Sequence, residues 1–227
     1  MPAPATRPEQ LREGEAFFLG AVERTHDLSA PCALPGWSRA HLVAHMARNA
    51  DALCNLLSWA RTGVATPMYA SAEARTAGIE ESARQAPAAL RADMASASAR
   101  LVAELDGMPA EAWDAIIRTA RGREIPASDV PWMRIRESWV HAVDLDAGAT
   151  FAEIPAAVVR DFLDEVAAGL TKRDDCPAMT VVVGDASWQI GPAAGERVTV
   201  AGSAADVLAW LIGRAPLDAA PEPPRWL

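Results

Sequence analysis

The chain has 227 residues, 51% of them hydrophobic and 22% charged, with a net charge of −9 and a pI near 4.9. That length suits one large domain or two small ones, with ample apolar material for a core. So acidic a surface repels phosphate backbones and anionic membranes, which argues against a nucleic-acid or membrane partner but leaves room for a small anionic substrate met by a local arginine.

In chain order, residues from about Pro8 to Leu28 read as a helix, with Leu11, Phe17, Phe18, Ala21 and Val22 near helical spacing. Pro35 and Gly36 then make a turn, and Ser38 is a good N-cap for a second helix from about Arg39 to Arg61, ended by Gly63. A connection follows, with some helix late in it. A third long helix spans roughly Pro87 to Leu105. Gly122 turns between two short extended pieces. Ser128 or Asp129 is expected to cap a fourth helix that has Pro131 in its first turn and runs to about Leu145. Four long helices in residues 1–150 predict a four-helix bundle.

The character changes over residues 151–227. "IPAAVVRDFLDEVAAGLTKR" is an amphipathic helix, "MTVVVGD", "SWQIG" and "RVTVAG" are short β-type runs, and "SAADVLAWLIGRA" is a capped helix. These predict a small α+β domain, so the fold class is mostly α: a bundle followed by an α+β unit. The tail "PLDAAPEPPRWL" is too rich in proline for regular helix and reads as extended. Three cysteines, Cys32, Cys54 and Cys176, are odd in number and form no C-x-x-C, so a disulfide framework is not expected. The first residues lack the apolar segment of a signal peptide and no run is long enough to span a membrane. A cytoplasmic protein is the expectation.

The chain has only four histidines. On the fourth helix, "RESWVHAVDL" places Glu137 and His141 four apart, on one helical face, among Trp139, Val140, Val143 and Leu145. A buried carboxylate costs several kcal/mol unless it is paired or coordinated. On the second helix, "SRAHLVAHMARNADAL" carries His41 and His45, also four apart. Two bundle helices can bring one or both of these to Glu137 and His141. Two imidazoles and a carboxylate form a catalytic zinc set with a fourth position left open. An i,i+4 carboxylate–imidazole pair can equally be a surface ion pair of a few tenths of a kcal/mol. His41 lies in the first turn, near Ser38, where a polar side chain is easily solvated. His26, near the end of the first helix, is accounted for by the helix dipole. In the tail, Trp226 and Leu227 follow Arg225 as apolar anchors; once they dock, that guanidinium is suited to clamp a carboxylate.

The stretches "GWSRAHLVAHMARNADALCNLLSWARTG", "TPMYASAEAR", "PASDVPWMRIRESWVHAVDL" and "PEPPRWL" together make the chain resemble the mycothiol-dependent maleylpyruvate isomerases, whose N-terminal part is a DinB-like metal-binding bundle. The resemblance implies a zinc ion held by His45, Glu137 and His141, with His41 not a ligand, and a catalytic role near the metal for Arg225. It also implies mycothiol as coenzyme and cis-trans isomerisation of maleylpyruvate to fumarylpyruvate in gentisate-type aromatic degradation. The expected partners are these small molecules, and the chain is expected to be a monomer. The alternatives are mycothiol transfer to another electrophile, or a metal- or small-molecule-binding protein without catalysis.

Overall fold

The structure is a computed structural model and describes residues 7–192 and 196–222. The described residues fall into two compact units that divide between Ala149 and Thr150.

The first unit is helical. Helix α1 (Arg7–Arg24), α2 (Arg39–Thr62), α3 (Ala72–Ala83), α4 (Pro87–Asp106) and α5 (Val130–Asp144) follow in order, with a short hairpin of β1 (Ile116–Arg118) and β2 (Glu124–Pro126) between α4 and α5. In the bundle, α1 packs chiefly on α5 and α2 on α4, while α1–α4 and α2–α5 contacts close the ring. The shorter α3 lies against α2. Fully buried Leu42, Met46, Leu53, Leu56 and Leu57 make α2 the central helix, in one core cluster with Phe18 of α1 and Leu90, Met94 and Leu101 of α4.

Helix ends follow local chemistry. Ser38 caps α2 through a capping box in which His41 stands at the position usually held by glutamate or glutamine. Gly63 ends the same helix in the left-handed region (φ 73°), where a Cβ would be strained. Of the two caps expected for α5, Asp129 takes the N-cap position but makes no side-chain capping bond; residues Ala127–Asp129 form a 3-10 turn that feeds into the helix. Helix α1 stops at Arg24, four residues short of the expected end, and leaves His26 exposed beyond it. Gly14 permits the close α1–α5 contact: a Cβ there would lie 3.1 Å from Trp139 Nε1 and 3.4 Å from Ser138 Cβ.

The second unit opens with α6 (Ala156–Leu170), continues through β3 (Met179–Val183), β4 (Ala186–Ile190) and β5 (Val198–Ala201), and ends in α7 (Ala204–Leu211). The sheet order is β4-β3-β5, with β4 antiparallel and β5 parallel to β3. Val158, Phe162, Val166 and Leu170 line the buried face of α6 and pack in a core with Met179, Val181, Ile190, Val207 and Leu208. Trp210 donates from its indole to the Pro221 carbonyl at 3.1 Å, which ties the start of the tail to α7. Arg225, Trp226 and Leu227 lie outside the described residues, and so does the expectation built on them. Among the described residues no helix is long and apolar enough to cross a membrane.

Candidate metal centre

Helices α2 and α5 lie side by side, and each turns a polar stripe toward the other. Arg134, Ser138, Met46 and Asn49 occupy one stripe. His45, Glu137 and His141 occupy the adjacent one.

The first stripe is closed. Arg134, fully buried, donates in bidentate fashion to Glu15 of α1, from Nε to Oε1 at 2.7 Å and from Nη2 to Oε2 at 3.0 Å. Its Nη1 donates to the Met46 carbonyl and to Asn49 Oδ1, both at 2.9 Å. Ser98 donates to Glu15 at 2.5 Å, and Ser138 donates to its other oxygen. Burial works to raise the Glu15 carboxyl, but the Arg134 charge and these hydrogen bonds outweigh it and hold the group below the usual range. The cluster ties α1, α2, α4 and α5 together beside the second stripe.

In the second stripe, His45 Nε2 and His141 Nε2 each stand 3.1 Å from the same oxygen, Glu137 Oε2. The two rings meet edge to face with centroids 5.1 Å apart. One ligand atom from each of the three residues can be chosen so that all lie within 4.8 Å of one another. Ligand atoms of a tetrahedral zinc, each about 2.0–2.1 Å from the ion, lie roughly 3.3 Å apart. The observed 3.1 Å contacts are close to that spacing. The donor set, two borderline nitrogens and one oxygen, suits a divalent first-row metal and leaves a fourth position for an exogenous group.

The surroundings favour this use. His141 Nδ1 is 2.9 Å from Asp144 Oδ2, and Asp144 is itself buried. That carboxylate holds the proton on Nδ1 and turns Nε2 toward Glu137, the carboxylate–histidine arrangement found behind metal ligands. Burial alone would lower the His141 imidazole, but the hydrogen bonds it donates to the Asp144 and Glu137 carboxylates raise it to about 9. Burial would raise Glu137, yet the two histidines hold it well below the usual carboxylate range. His45 behaves oppositely: burial pushes it below its ordinary value, and Glu137 only partly compensates. The Trp37 ring packs against His45 with centroids 5.6 Å apart. Arg75 of α3 donates from Nη2 to His45 Nδ1 at 3.3 Å, and its guanidinium lies 5.8 Å from the ring centre of Tyr69, whose phenol burial pushes up.

The structure thus brings together His45, Glu137 and His141. It keeps His41 apart: His41 Nδ1 is 2.7 Å from Ser38 Oγ and accepts from the Ser38 backbone N–H, and its Nε2 faces Glu80 at 3.5 Å. Sequence reasoning missed Asp144, although its place one turn after His141 was a readable signal. It also missed Arg75, Tyr69 and Trp37, which no spacing rule connects to His45. The three cysteines are free and none belongs to the triad.

The profile of the mycothiol maleylpyruvate isomerase N-terminal domain matches residues 11–146. The chain belongs to the mycothiol maleylpyruvate isomerase family. A crystal structure of the mycothiol-dependent maleylpyruvate isomerase superposes with a TM-score of 0.92 at 35% identity, covering 99% of this chain and 98% of that one. A mutant of that isomerase matches equally well. Both matches extend over the α+β unit, beyond the part described by the family profile, and mark the chain as an enzyme of this family. YfiT from Bacillus subtilis, described as a probable metal-dependent hydrolase with an unusual four-helix bundle topology, shares the bundle fold at 18% identity. Its TM-score is 0.53, over 63% of this chain and 83% of YfiT. A search among curated proteins found no match.

Proposed function

We propose that the protein is a cis-trans isomerase that converts maleylpyruvate to fumarylpyruvate with mycothiol as coenzyme, in gentisate-type degradation of aromatic compounds. The observation that carries this reading is the convergence of His45, Glu137 and His141 in a chain of this family. Mycothiol, when bound, supplies the thiol that adds to the alkene and is expelled after rotation, and a divalent metal, zinc by this donor set, supplies the positive charge that keeps such a thiol ionised at neutral pH.

The chain's own residues set up that chemistry. Two neutral imidazoles and one carboxylate carry a single negative charge, so a dication held by them keeps a net positive charge for an anionic sulfur or oxygen. Asp144 fixes the His141 tautomer so that Nε2 presents its lone pair. The Trp37 ring covers one side of His45 and keeps water from that ligand. The Tyr69 phenol stays protonated at neutral pH and can donate a hydrogen bond. Arg225 is proposed to orient a substrate carboxylate and stabilise charge that develops on the neighbouring enolate.

The test is the spectroscopic loss of maleylpyruvate with zinc-loaded protein, with and without mycothiol. Thiol-dependent conversion to fumarylpyruvate with free thiol recovered supports the isomerase. A stable thioether would indicate transfer to an electrophile instead, and no turnover with any thiol would indicate a binding protein. Arg225→Ala should lower turnover on the order of 10²-fold with zinc content unchanged.

A further inference from the structure

The loop between α1 and α2 borders the triad but supplies none of its ligands. Residues 29–38 enclose a hollow of about 440 Å³, within the size range of small-molecule pockets. The loop is pinned at several points. Cys32 N donates to the Trp37 carbonyl at 3.2 Å and Arg39 N to that of Ala30 at 2.9 Å, pairing Pro31 with Ser38 as in an antiparallel ladder. Ala33 N donates to the Asp144 carbonyl at 2.8 Å and Arg39 Nε to that of Leu145 at 2.8 Å, which fastens the loop to the end of α5 just past His141. A hollow held in this way loses little freedom when it is filled.

Its chemistry narrows what fills it. Among the described residues no ionisable group lines the hollow except the Cys32 thiol, which burial pushes up, so that it stays protonated at neutral pH. The charged neighbours in the chain are engaged elsewhere. Asp27 accepts from Ser29 N at 2.8 Å and from Ser29 Oγ at 2.6 Å, and Arg39 donates to the carbonyls of Leu145 and Asp146. A dianion such as maleylpyruvate would enter this hollow without a counter-charge. The hollow offers the half-buried Trp37 ring, the hydroxyls of Ser29 and Ser38, and the peptide groups of the loop. An aromatic surface beside neutral donors and acceptors suits an uncharged, hydroxyl-rich molecule, whose C–H face packs on the ring while its hydroxyls find polar partners.

Trp37 joins the hollow to the triad. Its ring centre lies 5.6 Å from that of His45 and 6.4 Å from that of His41. Mycothiol is an acetylated cysteine joined through an amide to a glucosamine–inositol pair, and about five bonds, roughly 6 Å, separate its sulfur from the first sugar ring. A sulfur directed at the triad therefore leaves the sugars at the distance of Trp37 and the hollow. We propose that the hollow formed by residues 29–38 is the subsite for the uncharged sugar portion of the thiol coenzyme, with Trp37 as its stacking platform. This rests on the reading of the protein as a mycothiol-dependent enzyme. Such a subsite selects a glycosylated thiol over a plain one.

The subsite is measurable without thiol, metal or turnover. The probe is N-acetylglucosaminyl-inositol, which is uncharged and carries the sugars of the coenzyme without its cysteine. Its binding to the full-length protein is read by calorimetry and by saturation-transfer NMR, in wild type, Trp37→Leu and Ala33→Trp, with the folding of each variant checked by thermal melting. Ala33 is exposed on the wall of the hollow, so a tryptophan there takes up the space while Trp37 and the triad stay in place. Wild type should bind the probe, with saturation strongest on the sugar C–H groups. Trp37→Leu should bind it roughly 10-fold more weakly through loss of the aromatic face, and Ala33→Trp at least about 10-fold more weakly. No binding to wild type, or unchanged binding in either folded variant, would overturn the proposal. Failure of the isomerase reading would appear separately, as the absence of thiol-dependent conversion in the turnover assay. Failure of the subsite alone would leave mycothiol-dependent turnover in Ala33→Trp equal to that of wild type.

Discussion

Two acid clusters meet α5 at neighbouring residues, one through Arg134 and Ser138 and the other through Glu137 and His141, and they differ in what their carboxylate is given. Glu15 receives a bidentate arginine and two hydroxyls, and the arginine's remaining N–H groups find Met46 O and Asn49. Glu137 receives two imidazoles on a single oxygen. Glu15 and Arg134 are saturated and have no capacity for an outside partner. The Glu137 cluster is held together by groups that would each rather coordinate a cation. The saturated cluster ties four helices together, whereas the Glu137 cluster, from α2 and α5 alone, keeps a donor set suited to a cation.

The sharpest way to break the comparison is to exchange the fates of the two acids. Glu137→Gln should remove metal and reduce turnover on the order of 10³-fold, while the fold survives. Glu15→Gln should do the opposite. It leaves the Arg134 charge buried without its partner, for a loss of about 3–5 kcal/mol, while the folded fraction still binds zinc. Melting curves and metal analysis on the two variants check both halves.

The clusters also separate by pH. The Glu15 carboxyl is held below its unfolded value, so its stabilisation is present above about pH 4.3 and is lost as pH falls through the lower folded value. The stability gap between wild type and Glu15→Gln should be widest at neutral pH and narrow in acid. His141 runs the other way. Its folded value is about 9, so in metal-free protein its contribution is full below about pH 6.5 and is lost as pH rises toward that value. Because a ligand imidazole must give up that proton, zinc affinity should rise with pH across the same window. Denaturation and chelator competition at stepped pH measure the two trends.

Smaller effects refine the boundary of the site. Asp144→Ala should weaken zinc binding about 10- to 100-fold through loss of His141 orientation. His41→Ala should cost about 1 kcal/mol of stability through the capping box and leave zinc in place, which chelator competition on the folded variant checks.

The sequence makes some of this legible and hides the rest for physical reasons. The long helices announce themselves by periodic apolar positions, and Glu137 and His141 by their i,i+4 spacing on α5. Ser38 was readable as a cap because capping chemistry is local. Asp129 was readable as a cap position, but its lack of a side-chain bond was not, because a 3-10 turn can start a helix without one. Glu15 and Arg134 are 119 residues apart, and Arg75 reaches His45 from a helix that buries only Ile79 and Ser82 and so shows almost no apolar periodicity. The parallel pairing of β5 beside β3 likewise depends on contacts between strands that no local pattern records.

The central claim is that His45, Glu137 and His141 hold one catalytic metal ion. Elemental analysis of folded, zinc-supplemented and desalted protein, comparing wild type with His45→Ala, tests it most directly. The account predicts about one equivalent of zinc per chain in wild type and less than about a tenth in His45→Ala. A full equivalent retained in His45→Ala, or none in wild type, would contradict it.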